Sequence, residues 1–170
     1  LTNTGLNLLA PPKTPAENTH FSLFLAAVIQ AVDDYADLMR ISVASPGNDH
    51  RLGANEAPPA IVSIFLGDEL TAVRKSIEND TYFDQSPAIQ METGAHVLPH
   101  FIKDTTDRNR TSPFAFTGNK FEFRMLGSSL SVSGPNTVLN TAVAESLSQF
   151  AERLSSVPEG HLDHEVHELI

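Results

Sequence analysis

Between Phe21 and Met39 the residues Phe21, Phe24, Val28, Val32, Tyr35 and Met39 recur every three or four positions. That spacing places them along one side of an α-helix, and a helix apolar on one side is stable only when another layer covers it. Its start is marked as well. Thr14 can cap, Pro15 suits the first helical position, and Glu17 can reach back to the Thr14 amide to close a capping box. The pattern predicts a helix from Pro15 to about Leu38, following an irregular Asn-, Gly- and Pro-rich stretch over residues 1–13.

The layer that covers this helix is expected downstream. Arg40 to Ser45 alternates like a short strand, and the proline- and glycine-rich run from Pro46 to Pro59 reads as loop. Residues 60–67 combine β-branched content with a Pro-Pro entry, and the shared helical face of Ile61, Ile64 and Phe65 favours helix over strand. Asp68 to Glu78 is expected to be helical from an Asp cap, and residues 79–112 polar and irregular. Pro113 to Met125 reads as a hairpin turning at Thr117-Gly118-Asn119. In its second arm Phe121, Phe123 and Met125 point one way, and Glu122 and Arg124 the other. A last long helix fits Asn136 to Ser155, with Val138, Leu139, Ala142, Leu147, Phe150, Ala151 and Leu154 as its buried stripe. The expected class is α+β, an antiparallel sheet with helices packed on one face.

The chain's 170 residues suffice for one domain with a hydrophobic core, and its formal charge is −10. That charge opposes binding to nucleic acid or to an anionic membrane surface. The apolar stretch from Phe24 to Val32 is broken by Gln30 and too short to span a bilayer. With no cysteine there are no disulfides or thiolate metal sites, which fits a cytoplasmic protein. The first residue is not Met and the last residues run into a helical pattern, so both ends read as cut; residues 156–170 look like the start of a truncated helical segment.

Against this acidic background, four of the seven arginines fall in three short segments. Guanidinium groups stay charged and bind carboxylate or phosphate in forked pairs, so the concentration points to local recognition of anions. In HRLGANEAPP, Arg51 and Glu56 flank Gly53 on a proline-stiffened loop, which could hold an anion beside a proton acceptor. Read alone, the segment is better described as a surface ion pair. In KFEFR, Glu122 and Arg124 share one strand face, roughly 7 Å apart. Such a carboxylate could ligate a hard divalent ion while the guanidinium meets the anion it carries. Read alone, a solvated charge pair is again the simpler account. DRNRTSP contributes Arg108 and Arg110. His161, His164 and His167 in the tail have zinc-like spacing, but no second ligand cluster accompanies them, and a solvated helix is the stronger reading.

Taken in order, RLGANEAPP, DRNRTSPFAF and GNKFEFRMLGSS closely resemble the carboxy-terminal half of the glutamine synthetase catalytic domain. HRLGANEAPPAIVSIFLGDEL is similar to a signature of the long-subunit, type III members, and GPNTVLNTAVAESL resembles the helix after the family's metal-binding strand. The resemblance covers nearly the entire chain.

It implies that residues 1–170 are part of that catalytic domain. The enzyme would join ammonia to the side-chain carboxylate of L-glutamate, using ATP and passing through γ-glutamyl phosphate. By resemblance, Arg51 and Arg124 bind glutamate, and Glu56 accepts the proton of ammonium. Arg110 meets the ATP phosphates and the phosphoryl group in transfer, and Lys120 lies near the nucleotide. Glu122 ligates Mg2+ or Mn2+. Where short-subunit members carry a second arginine after the NRS motif, this chain has Ala115 and Phe116. The family's paired-glutamate metal segment and its glycine-rich, histidine-bearing loop would lie upstream of residue 1, and its sites form between subunits of a homo-oligomeric ring. A chain like this alone is therefore expected to be inactive. The competing reading is a non-catalytic relative that binds nucleotide or amino acid; Glu56 argues against it, because a pure binder needs no proton acceptor. If Arg51, Glu56, Arg110, Glu122 and Arg124 serve one site, their charged ends should face a common cleft, with Phe121, Phe123 and Met125 buried on the opposite side.

Overall fold

The structure, a computed structural model, describes residues 2–10, 19–55, 57–79, 90–91, 101–102, 111–158 and 160–170. Thr14, Pro15 and Glu17, the expected cap of the first helix, lie outside these residues, as do Glu56, Arg108 and Arg110.

The first helix, α1 (Thr19–Asp34), is followed by α2 (Ala36–Ser42) across Tyr35, whose φ of −115° and ψ of 23° leave the helical region. The backbone bonds still bridge the break, from the Tyr35 amide to the Ala31 carbonyl at 3.2 Å and from the Met39 amide to the Tyr35 carbonyl at 3.0 Å. The apolar stripe thus continues through a kink, with Phe21, Leu25, Val28, Val32 and Met39 buried and Phe24 only partly so. The strand expected at Arg40–Ser45 is not formed. Burial there runs from Met39 to Val43 while Ile41 is exposed, a helical spacing that an alternating strand would not give.

The loop expected from Pro46 to Pro59 also needs correction, because α3 (Pro46–Arg51) occupies its first half. The Ser45 hydroxyl accepts from the Asn48 amide at 3.3 Å, and Pro46 takes the first turn, where its missing N–H costs nothing.

Residues 60–67 do not form the helix expected of them. Their centre is the short strand β1 (Ile64–Phe65), which pairs in parallel with β4 (Phe114–Phe116). Its β-branched residues find a neighbouring strand to pair with, and Ile61, needed for a helical apolar face, is exposed. Next, α4 (Asp68–Glu78) begins at Asp68 as expected. Within the stretch read as irregular, β2 (Gln90–Met91) and β3 (Phe101–Ile102) pair antiparallel; the other residues between 80 and 110 lie outside the described ones.

The expected hairpin is present as β4 and β5 (Phe121–Phe123), in the register Phe114↔Phe123, Ala115↔Glu122 and Phe116↔Phe121. Its turn includes Gly118 at φ 100°, a conformation open to glycine, and closes with the Thr117 amide on the Lys120 carbonyl at 2.9 Å. The sheet order is β1-β4-β5, so the α+β architecture holds with a mixed rather than wholly antiparallel sheet.

Four phenylalanines bind the hairpin to the helices. The Phe114 ring stacks on Phe121 at 4.8 Å and meets Phe123 at 6.0 Å, while Phe116 meets Phe121 edge-on and Phe21 of α1. Val28 and Val32 pack on the same cluster from one side. Val138, Leu139 and Val143 reach it from α5 (Ser133–Ser155). Helix α5 starts a turn before the expected Asn136, with Pro135 buried in its first turn. Its buried line is Pro135, Ala142, Ser146 and Phe150, with Val138, Leu139, Leu147 and Leu154 partly covered; Ala151 is exposed, not buried. Finally α6 (Leu162–Leu169) packs on α1 and α5, tied by an ion pair between Arg153 and Glu165. No helix among the described residues is long and apolar enough to cross a membrane.

Candidate functional site

The helix-and-sheet packing fixes where β5 ends, and the end of β5 organises the polar chemistry. Because Phe121 and Phe123 pack into the aromatic cluster and Met125 is fully buried, the intervening Glu122 and Arg124 project from the other side of the strand. There the Glu122 carboxylate accepts from Arg124 through Oε2, with Nε and Nη2 both at 3.2 Å. Its Oε1 lies 3.8 Å from the Lys120 ammonium. The Arg124 side chain is only 13% exposed, whereas Glu122 retains 42%. The arginine is therefore held largely inside the protein, with the carboxylate at its mouth.

Helix α3 brings the other cation to the same place. Arg51 is its last residue, and its guanidinium is fastened along one edge. Nε donates to Asn48 Oδ1 at 3.0 Å, and Nη2 donates to the carbonyls of Met125 at 3.1 Å and Leu126 at 3.0 Å. Beyond Arg51 the chain folds back on itself. Gly53 at φ 82° and Asn55 at φ 48° are left-handed, and the Gly53 amide donates to the Pro58 carbonyl at 2.9 Å. Asparagine tolerates that conformation better than most residues.

Together these parts line a cleft of about 620 Å³, with His50, Arg51, Ala54, Asn55, Ala57 and Pro58 on one wall and Glu122 and Arg124 on the other. Among the described residues its lining carries two guanidinium groups and one carboxylate, a local concentration of cations on a chain whose total is −10. Such a cleft suits a bound anion, since guanidinium hydrogen bonds to carboxylate or phosphate are charge-assisted.

Of the expected site residues, Arg51, Glu122 and Arg124 thus meet in one cleft. Lys120 stands at its edge through Glu122, itself well exposed. Glu56 and Arg110 lie outside the described residues, although Asn55 and Ala57, the chain neighbours of Glu56, line the cleft. Among the described residues no three His, Asp, Glu or Cys side chains gather closely enough to hold a metal ion, the tail histidines included. Glu122 alone does not make a metal centre, because a hard divalent ion takes about six oxygen ligands.

A larger groove of about 950 Å³ runs between α1, β1, α4 and α6. Its lining is mostly aliphatic and aromatic, from Phe21, Leu25, Ile29, Leu66 and Leu70. Its Arg74 and Glu78 are exposed and paired with each other at 3.5 Å. Size favours this groove, but concentrated and partly buried charge favours the smaller cleft.

Two residues of the cleft region carry no signal in the sequence that marks them as part of it. His50 lines it, and Asn48 is 4% exposed beneath it. The Ser45-Pro46 start of α3 could have shown that Asn48 sits on a helix. Nothing local could have shown its bond to the Met125 carbonyl, 77 residues away.

No protein-family profile matches the chain. Among curated proteins, it is 58% identical over 153 residues to the type-3 glutamine synthetase of Dictyostelium discoideum, covering 90% of this chain and 21% of that protein. It is 60% identical over 121 residues to a glutamine synthetase of Butyrivibrio fibrisolvens, covering 71% and 17% respectively. With a glutamine synthetase of Bacteroides fragilis (strain YCH46) it shares 45% identity over 163 residues, covering 93% and 22%. The chain therefore spans about a fifth of the length of the curated relatives it matches.

Proposed function

This chain is a homologue of the glutamine synthetases over some 90% of its length, and we propose that it forms part of the catalytic domain of an enzyme making L-glutamine from L-glutamate, ammonium and ATP. The observation that carries the reading is the cleft in which Arg51, Glu122 and Arg124 converge from segments some 70 residues apart. Identity to proteins named glutamine synthetase supplies the reaction class.

In the proposed reaction a γ-carboxylate oxygen of glutamate attacks the terminal phosphorus of ATP, and ADP leaves with the electrons of the broken P–O bond. Ammonia then attacks the γ-carbon of the acyl phosphate and inorganic phosphate departs. Both steps crowd negative charge together, which fixed cations stabilise without reorganising. Arg51 and Arg124 hold the glutamate or its phosphorylated form. Arg110 and Lys120 meet the phosphates. Ammonium has no lone pair until it loses a proton, and Glu56 is the acceptor assigned to that role. Glu122 would contribute one ligand of a Mg2+ or Mn2+ ion, the rest of whose shell the described residues do not supply. When bound, the ion neutralises phosphate charge. The working assembly is a longer, cytoplasmic polypeptide in a homo-oligomeric ring, with residues 156–170 leading into a further helical segment.

The test separates the two half-reactions in that longer polypeptide. Glu56→Ala should abolish most glutamine formation while γ-glutamyl phosphate can still be trapped as its cyclised product. Equal loss of both half-reactions would remove Glu56 from the ammonia step. A polypeptide that binds ATP and glutamate yet never forms the acyl phosphate would point to a non-catalytic binder instead.

A further inference from the structure

Beneath the cleft, Asn48 is buried at 4% exposure with each polar atom engaged. Its Nδ2 donates to the Val43 carbonyl at 2.7 Å and the Met125 carbonyl at 2.9 Å, and its Oδ1 accepts from Arg51 Nε at 3.0 Å. Only one orientation of the amide satisfies two carbonyls and a guanidinium at once, so the side chain has a single well-defined state. Its surroundings are closely fitted. A Cβ placed on Gly127 would lie 3.3 Å from Asn48 Oδ1, so the chain leaving β5 passes the amide at a distance a larger residue would disturb.

We propose that Asn48 is a positioning residue that sets the direction of Arg51 and thereby the affinity of the cleft for its carboxylate substrate. This rests on the reading of Arg51 as a glutamate-binding group. With Nε and Nη2 spent on Asn48, Met125 and Leu126, Nη1 keeps two protons without a partner among the described residues. The fastened edge determines where those protons point. Through the Met125 carbonyl Asn48 also ties α3 to the end of β5, the same stretch of backbone on which the Arg51 guanidinium rests. Without it, Arg51 loses an acceptor and must be ordered afresh whenever substrate binds.

The experiment is steady-state kinetics on the full-length polypeptide with four variants: Asn48→Ala, Gly127→Ala, Arg51→Ala and the double variant Asn48→Ala/Arg51→Ala. Loss of one charge-assisted hydrogen bond should raise the KM for glutamate roughly 10-fold in Asn48→Ala. The KM for ATP should stay within about twofold, a split that a general loss of folded protein would not produce. In the Arg51→Ala background the same change should raise the glutamate KM no further, because a residue acting through Arg51 has nothing left to position. Gly127→Ala alters neither residue but presses on Oδ1, and should shift the glutamate KM in the same direction by less; it carries the test if Asn48→Ala does not fold. An equal rise in both KM values, or an undiminished effect in the Arg51→Ala background, would overturn the proposal. If Arg51→Ala itself leaves the glutamate KM unchanged, the assignment of Arg51 fails first and separately.

Discussion

Replacing Ser146 by alanine should stabilise this protein. Ser146 lies on the buried line of α5, is 1% exposed, and its hydroxyl has no hydrogen-bond partner among the described residues. A buried hydroxyl without a partner forfeits about 1–3 kcal/mol of hydration. Alanine also exceeds serine in helix propensity by roughly 0.5 kcal/mol. Opposing these, an oxygen-sized void of on the order of 10 Å³, at about 24 cal/mol per Å³, costs only about 0.2 kcal/mol. The balance favours alanine by roughly 1–2 kcal/mol, even with the hydration loss taken near its lower end. Urea unfolding followed by circular dichroism measures this directly. With a slope of about 2 kcal/mol per molar, the midpoint should rise by roughly 0.5–1 M at unchanged slope. Ser148, exposed on the same helix, is the control. Ser148→Ala should show only the propensity gain, so the difference between the two variants isolates burial. A lower midpoint for Ser146→Ala than for the parent would mean that the hydroxyl is bonded after all, and would refute the reasoning.

Two further substitutions test the framework around the cleft. Phe114→Ala removes the 1%-exposed ring that stacks on Phe121 and meets Phe123, and should lower stability by about 3–5 kcal/mol in the same unfolding assay. Ser45→Ala deletes the side-chain cap of α3 and should cost about 1 kcal/mol; because α3 carries Arg51 into the cleft, hydrogen exchange of the Asn48 amide should quicken with it.

The elements whose signals repeat along the sequence were the legible ones. The stripe from Phe21 to Met39, the hairpin about Gly118 and the long helix after it each offer several residues that agree, and each element formed, the first with a break at Tyr35 and the last with Ala151 exposed. The short elements were not legible, because in them a tertiary neighbour decides. Arg40–Ser42 is helical since Met39 and Val43 share one buried side, and Ile64–Phe65 is a strand because β4 lies alongside it. Ser146 escaped notice for a different reason: a polar residue on a buried line is invisible to any argument built on apolar spacing. The alternation in Phe121–Met125 was enough to put Glu122 and Arg124 on one side of the strand. That Arg51 would meet them depends on Asn48 and on carbonyls more than seventy residues away, which no local pattern contains.

The most direct test of the cleft as the catalytic site is the rate of glutamine formation from glutamate, ammonium and ATP, with magnesium or manganese, by the full-length polypeptide. Glu122→Ala should be compared with Glu78→Ala, which alters the larger groove instead. The account predicts a loss of about 100-fold or more for Glu122→Ala, at or beyond the upper range seen when residues supporting a metal site are removed. Glu78→Ala should retain the parental rate. Parental activity in Glu122→Ala, with loss in Glu78→Ala, would contradict the account and move the chemistry to the other groove.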